Sequence, residues 1–517
     1  MPRLPALKGR APTALTALAA GAAAALAHPP FGLLPGLLGY AILLWSLDNS
    51  APDRPLKSAF WRGWLAGLAY FTIGSWWVTE AFMVDAEHQG WMAPFAIAIM
   101  AAFLAAFWGF AALLYRWTRP AGWTRLLVFA GSLCLFEWLR GHPLFPWNLP
   151  GETWRAGSAI SQFASIVGAY GLSWITVVIA ASPALLIYKP ERRIGACVVG
   201  ASLAALFGLF GYGLNRLPAS SANAAAPLVR VVQADVAQSA KYDEAYFRSI
   251  VDKYVALTAR PAPRTPDIVV WPEGAIPAAV EDYLAPGTWT REAILGALKP
   301  GQTLIVGGYR TAGPIAKPIY YNSLFVLRRT ADSIVLEGVY DKHRLVPFGE
   351  YLPLEDLMGR IGVKQLVHVG DGFTPGARPK PMAGSVTPGF IPLICYEGLF
   401  PGYFDRGSAA WIVNISNDAW FGRTSGPWQH LNLASYRAIE EGLPMVRATP
   451  TGVSAVIDAY GRPLASLGLG DMSTIDARLP NSLGRTPYSR HGDISFWLME
   501  FLTATLAVRQ IVQRRKS

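Results

Sequence analysis

Eight apolar stretches recur along the chain, at residues 12–27, 31–47, 58–78, 91–115, 122–139, 159–187, 194–213 and 494–511. A helix that crosses a bilayer needs about 20 such residues, because in lipid each backbone polar group must be bonded within its own segment. A chain with eight of them has few folds open to it. Seven of them precede, and one follows, the one long water-compatible region. Composition agrees: only 15% of the 517 residues are charged and 52% are hydrophobic, whereas an ordinary soluble chain carries about 25% charge. The abundance of aromatic residues excludes a disordered polymer, and three cysteines exclude a disulfide-built secreted domain.

The net charge of +11 could signal nucleic acid, but its placement says otherwise. Arg3, Lys8 and Arg10 precede the first stretch, and Arg54, Lys57 and Arg62 follow the second. Arg116, Arg119 and Arg125 follow the fourth, Lys189, Arg192 and Arg193 the sixth, and Arg509, Arg514, Arg515 and Lys516 the last. The alternate connections are poor in Lys and Arg. By the positive-inside rule both termini are cytoplasmic and the long region is periplasmic. The excess is a topology signal, and no nucleic-acid partner is expected. The first stretch ends in Ala25-Leu26-Ala27, which looks like a signal-peptidase site; we read it as a retained helix. The expected division is 1–214 for membrane helices one to seven, 215–493 for the periplasmic domain, and 494–517 for the last helix and its tail.

The long region has a different texture. Strand-like runs at 227–236, 266–277, 303–310, 320–327, 391–398, 410–422 and 453–461 alternate with helical stretches near 240–259 and 428–442, which predicts one large α/β domain. Three runs deliver a reactive group at their ends. Asp267 to Trp271 leads to Glu273, Val339 to Asp341 leads to Lys342, and Pro392 to Ile394 leads to Cys395. An acid, an amine and a thiol at strand ends are placed to converge on one cleft. The carboxylate can take the thiol's proton, and the ammonium can steady the oxyanion of a tetrahedral intermediate. Each residue alone has a plainer reading, as core packing, turn or solvated face.

In this order the three resemble the catalytic set of the nitrilase superfamily. The whole chain is similar to one branch of it, the apolipoprotein N-acyltransferase family. The resemblance rests on Trp271-Pro-Glu273, on Tyr340 to Pro353 (YDKHRLVPFGEYLP), on Cys395-Tyr-Glu397, and on Asn417 to Gly422 (NDAWFG). Pro427 to His430, Arg437 to Glu440, Thr486 to Tyr488 and Gly492-Asp493 extend it. It implies eight transmembrane helices and a nitrilase-like αββα sandwich. It makes Cys395 the nucleophile, Glu273 the general base and Lys342 the oxyanion partner. Glu350, Tyr396, Glu397 and Trp420 become supporting residues, and Tyr242, Arg140, Trp147 and Trp76 substrate-side residues. The implied reaction moves an acyl chain from a membrane phospholipid, through a Cys395 thioester, to the N-terminal α-amine of a diacylated apolipoprotein. It implies no cofactor, and a monomer in the bacterial inner membrane. The sequence departs from the family pattern at Asp235, Tyr242 and Pro450.

The histidines show no metal-ligand spacing, and no metal site is expected. Trp76 and Trp77 fit an interfacial aromatic belt. Glu137 and Arg140, three residues apart, can pair on one helix face. Segments 353–369 and 400–404 are candidates for a mobile cover over the site. A membrane-anchored amidohydrolase with the same triad remains a rival, although small amides need only one anchor. A transporter with a dead domain would show a damaged triad.

Overall fold

A computed structural model describes residues 10–188, 191–218, 225–314, 316–353 and 372–516. Helices occupy all eight apolar stretches: α1 (Arg10–Leu26), α2 (Leu38–Asp48), α3 (Pro55–Gly74), α4 (Ala93–Thr118), α5 (Thr124–Gly141), α6 (Ala164–Ala181), α7 (Arg192–Arg216) and, at the end of the chain, α11 (Ile494–Lys516). Among the described residues, three helical stretches are long and apolar enough to cross a membrane: Ala86–Thr118, Ile160–Ile187 and Arg192–Arg216. This is fewer than the sequence reading expected. The others are shorter, as α1 and α2 are, or are interrupted by charge at Lys57 and Arg62, at Arg125, Glu137 and Arg140, or at Glu500 and Arg509.

Small residues set the spacing of the bundle. A Cβ on Gly21 would overlap the Ala66 carbonyl, and one on Gly67 would press on Ala105, so α1, α3 and α4 meet backbone to backbone. Trp108 fills the centre, with the ring of Tyr70 at 4.6 Å and that of Tyr40 at 6.1 Å. The last helix slots in beside α5 and α6, where Thr503 lies on Gly131 and Phe496 lies 5.8 Å from Tyr170.

The rest is a four-layer α/β sandwich. One sheet has the order β11-β1-β2-β3-β4-β5 and the other β10-β9-β8-β7-β6. The strands are β1 (Leu228–Gln233), β2 (Ile268–Val270), β3 (Thr303–Ala312), β4 (Ile319–Arg329), β5 (Ile334–Asp341), β6 (Phe390–Ile394), β7 (Trp411–Ile415), β8 (Met445–Ala448), β9 (Ser454–Ile457), β10 (Pro463–Leu467) and β11 (Ser473–Arg478). β1, β2 and β3 run parallel, as do β6, β7 and β8. Strand periodicity sorts the side chains. Trp411, Val413 and Ile415 of β7 face the other sheet, alongside Val229, Val231, Ile268 and Val270, while Ile412 turns outward. Helices α8 (Phe247–Ala259) and α9 (Trp289–Ala297) cover the outer face of the first sheet, and α10 (Gly426–Glu441) covers that of the second. The strand-like runs at 227–236, 266–277 and 453–461 extend beyond β1, β2 and β9, and in two others the strand also ends early. The run at 391–398 leaves the strand after Ile394, and the run at 410–422 does so after Ile415; both continue as short 3-10 turns.

Helix α10 is also the seat on the membrane bundle. Asn432 accepts from Ala156 N and donates to Glu152 O, and the Tyr436 hydroxyl lies 2.9 Å from Gly151 O. Glu440 accepts from Ala169 N at 2.8 Å, where Gly168 breaks the helical path with φ of +69°. A side chain on Gly168 would strike the ring of Tyr488.

Candidate active site

β2 and β5 end in one sheet and β6 ends in the other, and their ends lie together. Glu273 follows β2 at a point where β3 approaches closely. A Cβ on Gly307 would sit 2.6 Å from Glu273 Cα, so glycine is required there, and Gly307 exchanges backbone bonds with Pro272 and Ala275. Lys342, just beyond β5, is 1% exposed and extends its Nζ to within 3.3 Å of Glu273 Oε1 and 2.9 Å of the Glu350 carboxylate. The amide of Asn322 on β4 donates to the same two carboxylates, at 2.7 Å each. Glu350 is fixed in turn by Val346 N, which donates to its other oxygen at 2.8 Å. Burial works against the Lys342 charge, but Glu273 and Glu350 outweigh it and hold the ammonium well above the usual lysine range. Glu273 Oε2, by contrast, is buried with no hydrogen-bond partner among the described residues.

Cys395 begins the turn after β6 with φ of +51°, a left-handed conformation that costs a non-glycine residue energy and turns its side chain out of the strand. Burial pushes its thiol up to about 12, Glu273 adds to this, and Lys342 opposes it. Behind the thiol, His430 places Nε2 3.3 Å from the Cys395 carbonyl oxygen and Nδ1 3.0 Å from Asp418. Arg447 clamps Asp418 at 2.8 and 2.9 Å. Glu397 is fully buried and braces the turn, accepting from Tyr340 and Tyr403 hydroxyls and from the backbone of Ile394, His343 and Arg344. Burial raises its carboxyl, with Ile394 N and Tyr340 opposing.

The aromatic rim joins this site to the bundle. Tyr396 donates its hydroxyl to Leu144 O, and its ring stacks on Phe145, which stacks on Trp147. Trp147 and Trp77, 4.5 Å apart, both donate to Gln429 Oε1. Arg140 is fully buried. It pairs with Glu137 and donates to the carbonyls of Phe145 and Trp147, which shapes this turn. Trp76 stays at the surface, and it is Trp77 that enters the rim. Tyr242 is 69% exposed, with its ring 6.4 Å from Trp420. In the expected cover at 400–404, Phe400, Tyr403 and Phe404 are buried and packed against Tyr396 and Leu399 of the turn that begins at Cys395. Residues 354–369 of the other cover lie outside the described residues. Gln233 ties β1 to the 449–454 turn and to Gly468, Thr451 bonds Asp235, and Pro450 offers its carbonyl to Val236 N.

A family model for the N-terminal domain of apolipoprotein N-acyltransferase matches residues 20–182, and one for carbon-nitrogen hydrolases matches residues 228–488. An apolipoprotein N-acyltransferase of Caulobacter vibrioides is 57% identical over 95% of this chain and 94% of its own length. The chain belongs to the apolipoprotein N-acyltransferase family. Relatives of the same name from Bradyrhizobium diazoefficiens and Brucella melitensis are 40% and 38% identical, over 97% and 90% of this chain and 96% and 90% of their own lengths. It is therefore an acyltransferase of lipoprotein maturation, a membrane enzyme, and its sandwich is the nitrilase-like part.

Sequence reasoning assigned no site role to Asn322, Gln429, Asp418 or His430, and placed Trp77 only in an interfacial aromatic belt. Asn322 had a signal: it is the inward polar residue in the apolar run of β4. Asp418, Gln429 and His430 lie in stretches that carry the family resemblance, but the partners of Gln429 are remote in sequence. Among the described residues no group of His, Cys, Asp and Glu could hold a metal ion.

Proposed function

We propose that the enzyme takes an acyl chain from a membrane phospholipid, carries it as a thioester on Cys395, and transfers it to the α-amine of a diacylglyceryl-cysteine. The carrying observation is a buried cysteine in a left-handed turn beside Glu273, one oxygen of which has no hydrogen-bond partner among the described residues. At neutral pH a thiol pushed up to about 12 is protonated, so attack needs a base in place. Glu273 Oε2 takes the proton as sulfur bonds to the ester carbonyl carbon. Lys342 stands to balance the oxyanion. The carbon–oxygen bond breaks, the lysophospholipid oxygen takes the proton from Glu273, and the thioester remains. The acceptor amine then attacks, its proton passes to Glu273, the carbon–sulfur bond breaks, and the thiol reforms as the amide product leaves. Glu350 and Asn322 hold Lys342 and Glu273, and Glu397 and Tyr396 hold the turn.

The same reading sets eight membrane crossings, residues 215–493 on the periplasmic side, and cytoplasmic termini. The positive-inside pattern and helices at all eight stretches support it. The same reading takes the enzyme as a monomer. The aromatic rim from Tyr396 to Trp77 supports lipid delivery from the bundle side.

The test is direct. Purified enzyme is incubated with phospholipid and no acceptor, and the Cys395 peptide is weighed by mass spectrometry. An acyl adduct is expected in the wild type, none in Cys395→Ala, and discharge on adding a diacylated lipopeptide. No adduct in the wild type overturns the thioester. Equally fast discharge by water would make the enzyme a hydrolase.

A further inference from the structure

The turn Ser239–Tyr242 lays one side chain inward. Lys241 keeps part of its stem exposed, but its ammonium is buried and has no hydrogen-bond partner among the described residues. Its Nζ lies 3.6 Å from the point where a Cβ on Gly274 would stand, beside Glu273. An ammonium buried without hydrogen bonds is costly, and packing gives no reason to place one there.

Charge does give a reason. Among the described residues, Lys342 is the one cation bonded to Glu273 and Glu350, so this buried group carries an unbalanced negative charge. Asp418, the other carboxylate felt by Cys395, is already matched by Arg447. We propose that Lys241 is a positioning residue of the acyl-transfer site, supplying the second positive charge that balances Glu273 and Glu350 around the thiol. Removing a cation beside a carboxylate favours its protonated, non-basic form. Burial pulls the Lys241 ammonium down to about 8, with Glu273 opposing, so it is charged at neutral pH. The charged groups on these faces are Lys241, Lys342 and Glu350 around Glu273, and Glu273, Lys342 and Asp418 around Cys395.

The inference rests on Glu273 acting as base to Cys395. Its test follows the alkylation of Cys395 by iodoacetamide, read on its own peptide, as a function of pH in the full-length enzyme. Reactivity falls in acid as the base is protonated. In Lys241→Met this fall is expected to move upward by about one pH unit, and in Lys241→Arg to stay near the wild type. In a Glu273→Gln background Lys241→Met should add nothing. Superimposable wild-type and Lys241→Met profiles overturn the inference and leave the base intact. So does an equal shift in the Arg variant, or a uniform loss at every pH, which would mark a purely structural role. Undiminished reactivity in Glu273→Gln, or an unreactive wild-type Cys395, overturns the base reading and this inference with it.

Discussion

The amide of Asn322 donates to two carboxylates that would otherwise repel each other across Lys342. Replacing it with leucine removes two charge-assisted bonds, each worth about 1.5–3 kcal/mol. Asn322→Leu should lower kcat/KM for acyl transfer by about 100-fold while the protein still folds, as thermal unfolding will report. Asp418 answers to pH. Burial alone would raise it, but Arg447 and then His430 outweigh burial and hold it well below the usual carboxylate range. A carboxylate lowered by folding contributes stability above its unfolded value, about 3.9, and loses it as pH falls toward the folded one. Asp418→Asn should therefore melt earlier than the wild type at neutral pH, and the gap should narrow below about pH 4. At this scale the sequence announces Glu273, Lys342 and Cys395 well, because a polar residue ending an apolar run is conspicuous. Lys241 is not conspicuous, and Asn322 stands out only as a polar residue within the apolar run of β4. What defines them is the group they face, and that group is distant in the chain.

Helix α10 was legible as a helix from its apolar spacing, but its burial was not. His430, Asn432, Arg437 and Glu440 look like a solvent face, yet each is buried and met by a partner. The short strands β8, β10 and β11 escaped notice because four to six residues carry little periodicity. Two substitutions test these elements. Tyr436→Phe removes the hydroxyl that reaches Gly151 O and Trp154 O, and should cost about 1–2 kcal/mol in thermal unfolding. Gly307→Ala should do more harm to activity than to folding. Its methyl would press on the Glu273 backbone, and overpacking of about 1–3 kcal/mol would be relieved by moving the base.

For the molecule as a whole, the eight stretches and their flanking charges were plain in the sequence, while the junction between bundle and sandwich was not. That junction uses pairs such as Trp77 and Trp147 on Gln429, about three hundred residues away in sequence. The proposed orientation is open to labelling in a chain without Cys134 and Cys197. A membrane-impermeant maleimide should reach Asp332→Cys in intact spheroplasts, and should reach Lys57→Cys only after lysis; the reverse pattern refutes the orientation. The slot beside α5 and α6 has a consequence for biosynthesis. Ribosomes make the walls of that slot first and α11 last, after the whole sandwich has been synthesised. Until Phe496 and Thr503 are in place the bundle is a cup with one stave missing. The wall of the bundle is thus completed only after Glu273, Lys342 and Cys395 have all been translated.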